Sequence, residues 1–235
     1  MKQGLILGVA IVLAGCAAGP GASRSGPFEF TPSQFVKTDI DRIAEAHERE
    51  LQVSLKLLAG KLYKRNPKEW KKGGWARAED AVDRLFGKQH NWRFPELEGK
   101  FGTEAVQLAL RPEYTGDRVF AFTAGLGGMI LAAFNERYEF FMTDDLDAQK
   151  LYNAARNIEI AVWKLMNDRD TGGELLLLSS ETGTMVNLSF EREFGKMIGN
   201  LDLLSSTIAD KNHRTIVKVV QNMATAVFLP VAGLK

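Results

Sequence analysis

Few residues of this chain are of a type and spacing that could do chemistry, and most dissolve on inspection. His47, His90 and His213 are scattered, and no other histidine is present. The stretch Ala-His-Glu-Arg-Glu at 46–50 lacks the second histidine of the H-E-x-x-H zinc motif. Gly-Leu-Gly-Gly-Met-Ile at 125–130 has no following Lys-Ser/Thr to cradle a phosphate. Nor is it G-x-G-x-x-G after a strand. No G-x-S-x-G elbow for a nucleophilic serine occurs. Asp144, Asp145 and Asp147 have the hard oxygens a divalent cation takes, but the glycine and distal glutamate of an EF-hand loop are missing. Capping a helix start explains three acids as well. Glu139 and Asp147 remain as dispersed acids for a hydrolase, the weakest reading. The expectation is a protein that is not an enzyme and holds no metal or cofactor.

Three other constellations suit binding. Lys61, Lys64, Arg65, Lys68, Lys71, Lys72 and Arg77 crowd residues 61–77, opposed only by Glu69, with Tyr63, Trp70 and Trp75 between them. Clustered cations with interfacial tryptophan suit an anionic membrane surface or an anionic polymer, at about 1 kcal/mol per basic residue. Lys64, Arg65, Lys68, Trp70, Lys71, Lys72 and Trp75 are the candidate contacts; the plainer reading is a solvated turn whose tryptophans tuck into the core. Residues 119–134 are the most apolar stretch beyond the N-terminus, with Thr123 its only polar side chain. Gly125, Gly127 and Gly128 each cost about 1 kcal/mol in a helix interior. A neighbour packed closely on the glycines would offset that, making this the central core helix. The sharper reading is a groove for a hydrophobic ligand lined by Phe120, Phe122, Leu126, Met129 and Ile130. Asn153, Arg156, Asn157 and Glu159 lie among apolar residues, where such groups bond across a helix interface.

The remaining chemically capable residue is Cys16, the only cysteine. Lys2 precedes an apolar run from Leu5 to Leu13 that is too short to span a bilayer, which takes about 20 residues. A positive start, a short apolar core and small residues before a cut site form a secretory signal. Leu13-Ala14-Gly15-Cys16 resembles the lipobox of bacterial lipoproteins. That resemblance covers only residues 1–16. It implies a diacylglyceryl group on the Cys16 thiol, cleavage before it, and acylation (palmitate or a similar chain) of the new terminus. One acyl chain holds a membrane weakly and two or three hold it well. Ala17 and Ala18 replace the aspartate that signals inner-membrane retention in such lipoproteins, so the resemblance implies an outer-membrane anchor facing the periplasm. A lipidated Cys16 leaves no thiol for a disulfide, a metal or catalysis.

Composition agrees with an exported globular domain. The chain has 235 residues, 45% hydrophobic and 25% charged. Loss of Lys2 with the signal lowers the 30 Lys+Arg by one, to match the 29 Asp+Glu. Balanced charge and export both speak against nucleic acid as a partner.

The elements that must position these residues follow from periodicity. Residues 1–15 form the signal, and 16–32, rich in Gly, Ala, Ser and Pro, form a tether whose coil spans roughly 20–25 Å. Residues 33–235 make one helical domain. Ile40, Ile43, Ala44, Leu51, Leu55, Leu58 and Leu62 mark a helix over 39–64, capped by Thr38 and stopped before Pro67. A short helix covers 76–86, and 87–102 is irregular. Residues 103–112 are helix or strand. A long helix runs from Asp117 to about Phe141. Another starts at Thr143 or Asp144 with Leu151, Ala155, Ile158, Val162 and Leu165 inward, and breaks at 171–173. Residues 174–190 suit mostly helix, with a possible short β-hairpin around Thr182-Gly183. Helices over 190–211 and 214–229 close the chain, the last ended by Pro230. The class is all-α, an irregular multi-helix bundle. The expected role is a lipid-anchored envelope scaffold or accessory subunit of a membrane or cell-wall assembly, bound to the membrane and to an envelope protein. The alternative is a carrier of lipid or another hydrophobic ligand.

Overall fold

Thr38 and Asp41 start the first helix by capping each other. The Asp41 N–H donates to Thr38 Oγ1 at 3.3 Å, and the Thr38 N–H donates to Asp41 Oδ2 at 2.7 Å. In the computed structural model, which describes residues 37–87, 90–141, 144–181 and 186–232, helix α1 then runs Asp39–Arg65. Its Ala44, Leu51, Leu55, Leu58 and Leu62 are buried. Pro67 opens α2 (Pro67–Lys72), where a missing N–H costs nothing. After it come α3 (Ala78–Phe86), a 3-10 turn (Pro95–Leu97) and α4 (Thr103–Ala109). Helix α5 is Arg118–Ala133, α6 is Ala148–Asn167 and α7 is Ser189–Lys211; a second 3-10 turn covers Met223–Thr225. No strand forms among the described residues. All of these elements belong to one unit, Val36–Lys235, and the class is all-α. The signal, Cys16 and the tether lie outside the described residues.

Helix α5 is the hub. It packs against α1, α2, α3, α4 and α6, and every one of its residues is buried. At about 1.5–3 kcal/mol for each large apolar side chain removed from water, it is the main apolar contribution to the core. Its glycines are where the neighbours come closest. A Cβ at Gly125 would meet the Val106 backbone nitrogen of α4 at 2.5 Å, and one at Gly128 would meet the Phe101 ring at 2.8 Å. One at Gly127 would enter the Trp92 indole. Close approach therefore offsets the helix cost of all three. The second layer is α6 on α7, with α1 alongside α7. Helices α1 and α7 run antiparallel: Lys61 donates to Ser189 O at 2.8 Å near one end, and His47 meets Asn200 farther along.

Four expected elements differ. Helix α5 stops at Ala133, short of Phe141, because Asn135 and Glu136 adopt left-handed backbone (φ 57° and 58°), and the Glu136 N–H returns to Leu131 O at 2.9 Å. The chain then folds back so that Phe140 lies against Phe134, ring centroids 5.8 Å apart. Helix α6 is capped by Asp147, whose Oδ1 accepts the Gln149 N–H at 2.8 Å. Asp144 instead accepts the Phe141 N–H and pairs with Arg137; Thr143 is outside the described residues.

Residues 174–181 are not helical, and α7 starts only at Ser189. Single antiparallel bridges join Arg169 to Leu175 and Glu181 to Asn187, with no strand among the described residues; the expected turn at Thr182-Gly183 lies outside them. Residues 214–229 form no α-helix, and only Met223–Thr225 makes a 3-10 turn. Their β-branched run is stiff at χ1 and disfavours helix. Of residues 103–112, left between helix and strand by their sequence, Thr103–Ala109 form α4.

One device explains both non-helical segments: side-chain carboxamides stand in for a neighbouring strand. Asn66 accepts the Leu178 N–H at 2.7 Å and donates to its carbonyl at 2.8 Å. Asn157, fully buried, does the same to Leu229 at 2.6 and 2.8 Å. Gln149 grips Val217 and Gln221 grips Val227 in the same way. A carboxamide carries one donor and one acceptor side by side, the pair that an extended residue presents. Asn153 adds a bond to Pro230 O at 2.7 Å.

Candidate functional site

Residues 61–77 fold as the end of α1, all of α2 and the turn after it. The positive charges there are unequal in their freedom. Lys61 is held by Ser189 O and Glu193, Arg65 pairs with Glu181 at 3.0 Å, Lys72 with Glu69 at 2.7 Å and Arg77 with Asp80 at 2.8 Å. Lys64, Lys68 and Lys71 are exposed and make no ion pair among the described residues; the Lys71 ammonium lies 5.3 Å from the Trp70 ring centroid. Trp70 and Trp75 are half-buried and pack on the core, Trp75 stacking on Phe120 at 6.4 Å between centroids. The basic surface expected from the sequence therefore contracts to three lysines beside two anchored indoles.

Beside this turn lies a cleft of about 240 Å³ lined by Lys72, Gly73, Trp75, Glu96, Tyr114, Gly116, Asp117 and Phe120. Gly73 is required by its shape, since a Cβ there would sit 2.5 Å from the Trp75 indole nitrogen. At its floor Asp117 caps α5: Oδ1 accepts the Phe120 N–H at 2.9 Å, and Oδ2 accepts the Tyr63 hydroxyl at 2.9 Å. Burial pushes the Asp117 carboxyl up to about 6, against the opposing effect of those hydrogen bonds. The same burial, with Asp117 beside it, raises the Tyr63 phenol far above its ordinary range, so it stays a donor. Glu69 sits behind, accepting the Arg118 N–H at 2.8 Å as well as Lys72. The buried Arg118 guanidinium is spent on the carbonyls of Ala109, Arg111 and Pro112.

This arrangement has one carboxyl titrating near neutrality between aromatic walls. Glu96, the other acid at the cleft, is gripped by Arg84 through two bonds of 3.0 and 3.2 Å. Pockets for drug-sized ligands hold about 300–1,000 Å³. The cleft is thus a small polar notch at a helix start. Sequence reasoning found Asp117 as a cap and missed its hydrogen bond from Tyr63 and the like charge of Glu69 beside it, residues 54 and 48 positions away, which no local pattern signals.

The candidate groove residues are not gathered around one opening among the described residues. Phe122, Leu126 and Ile130 are wholly buried. Phe120 borders the cleft just described. Met129 borders another of about 290 Å³, whose walls include Phe101, Gly102, Phe228 and Val231. Arg156 bonds across to Asp202 of α7 at 2.6 Å and to Glu159 at 3.1 Å, the interhelical role expected of that polar group. Among the described residues no three His, Cys, Asp or Glu side chains gather to hold a metal, and no helix is long and apolar enough to cross a membrane. No known protein family, curated protein or solved structure matches the chain.

Proposed function

We propose that this protein is a lipid-anchored envelope protein that serves as a non-enzymatic scaffold or accessory subunit of a membrane or cell-wall assembly. Its membrane hold is the acylated Cys16, and its address is the outer membrane, facing the periplasm. The observation that carries the reading is a wholly buried central helix with large apolar side chains left exposed on the elements around it. Ile43, Val53 and Leu57 of α1, Leu203 of α7, and Val217, Val220 and Val227 near the C-terminus are exposed, while α5 is buried on all sides. Apolar side chains outside a closed core suit protein contacts better than ligand storage. The carrier reading is weaker because, among the described residues, three of its five residues are wholly buried and the other two border separate openings.

Cys16→Ser is expected to release the protein from membranes into the soluble envelope fraction, with its mass lacking the acyl increments. Photo-cross-linkers at Val53 and Leu203 in the anchored protein are expected to capture a defined envelope protein in intact cells. Membrane retention of the unlipidated variant overturns the anchor. Recovery of lipid alone at both positions overturns the scaffold role.

A further inference from the structure

Residues 214–221, Arg-Thr-Ile-Val-Lys-Val-Val-Gln, leave α7 and pass over α6. Gln149 accepts the Val217 N–H at 2.8 Å and donates to the Val217 carbonyl at 3.1 Å. The N–H and C=O of one residue point the same way only where the backbone is extended. Two residues on, the Val219 N–H donates to the Tyr152 hydroxyl at 3.2 Å, along the same edge. Alternation then turns the N–H and C=O of Ile216 and Lys218, and the N–H of Val220, toward the opposite edge. Those groups have no hydrogen-bond partner among the described residues. The run is β-branched at Thr215, Ile216, Val217, Val219 and Val220, yet Val217 is 68% and Val220 98% exposed.

An unpaired, β-branched edge is a template for strand addition. The charge around it selects the occupant. Lys211 and Arg214 precede the edge in the chain, Lys218 lies within it, and no Asp or Glu occurs from Lys211 to Lys235. A second copy laid antiparallel about Lys218 would set two lysines opposite each other, which is destabilising. We infer that residues 215–220 form a docking edge for an extended segment of a partner protein whose β-branched residues alternate with carboxylates. This rests on the scaffold reading above and specifies how the partner is held.

The test keeps the full chain in detergent and adds a synthetic peptide alternating valine and glutamate, following amide exchange residue by residue. The Ile216, Lys218 and Val220 amides are expected to slow about tenfold or more, while Val217 and Val219, already bonded, change little. The same peptide with lysine in place of glutamate slows them less, and Lys218→Glu reverses that order. Val220→Pro, at an exposed side chain, removes one donor and weakens binding of the glutamate peptide. No slowing with the glutamate peptide overturns the inference. So does slowing without peptide that grows with protein concentration, which is pairing between copies. Partner cross-links that persist in Val220→Pro cells sink strand addition and leave the scaffold reading intact; loss of every protein cross-link in the parent chain sinks the scaffold reading itself.

Discussion

Asp117 accepts the first-turn N–H of α5 while buried beside Glu69, and the two circumstances pull its ionisation in opposite directions. Burial wins, so the folded protein favours the protonated acid relative to the unfolded chain, whose value is 3.8. The stability gained from that preference is complete below the unfolded value and is lost as pH rises through about 6. Asp117→Asn keeps its one oxygen for the Phe120 N–H, turns an amide N–H toward the Tyr63 hydroxyl oxygen in place of the second acceptor, and cannot ionise. Denaturant titrations across pH should therefore show a flatter profile in the variant. Between about pH 4 and neutral pH its stability relative to the parent should rise by roughly 2–3 kcal/mol. An unchanged pH profile would mean that the carboxyl titrates as it does in water.

At the scale of elements, the glycines of α5 and the carboxamides of α6 decide the packing. Gly125→Ala improves helix propensity by about 1 kcal/mol, yet its methyl would press on the α4 backbone, which cannot rotate away. A net loss of about 2 kcal/mol in urea unfolding is expected; a gain would show that α4 can withdraw. Asn157→Ala deprives the Leu229 N–H and C=O of both partners. It should cost about 2 kcal/mol and speed exchange of the Leu229 amide ahead of the α5 amides. These two helices also show where periodicity was enough and where it failed. Helices α1, α3, α6 and α7 carry apolar stripes that face one side, and their sequences announced them. The apolar residues at 214–229 misled because nothing local says that Gln149 and Asn157, far earlier in the chain, will satisfy that backbone in extended form. The end of α5 was missed for a similar reason. Phe134 to Phe141 continue the apolar pattern, and only the left-handed turn at Asn135 and Glu136 breaks it.

For the whole molecule, charge is balanced overall and local where it matters. Lys64, Lys68 and Lys71 are the exposed cations of the basic turn without a carboxylate partner among the described residues, whereas Arg65 and Lys72 hold the fold together. Replacing those three lysines with glutamine should weaken sedimentation of the unlipidated Cys16→Ser protein with anionic vesicles at low salt and leave its melting temperature unchanged. Parent binding that does not fall between about 0.01 and 0.15 M salt would argue against an electrostatic surface. Replacing Lys72 instead should lower stability, because the buried Glu69, which also accepts the Arg118 N–H at the start of α5, would lose its ion-pair partner.

The clasped segment after α7 makes the synthesis of residues 212–232 decisive for quality. Residues 212–232 contain no α-helix, and by usual rules such an end could be trimmed without harm. Here a premature stop after Lys211 would strip the cover from Asn153 and Asn157 and open the region around Met129. A product ending there would then be a substrate for proteases, and only chains that extend through Val231 would persist.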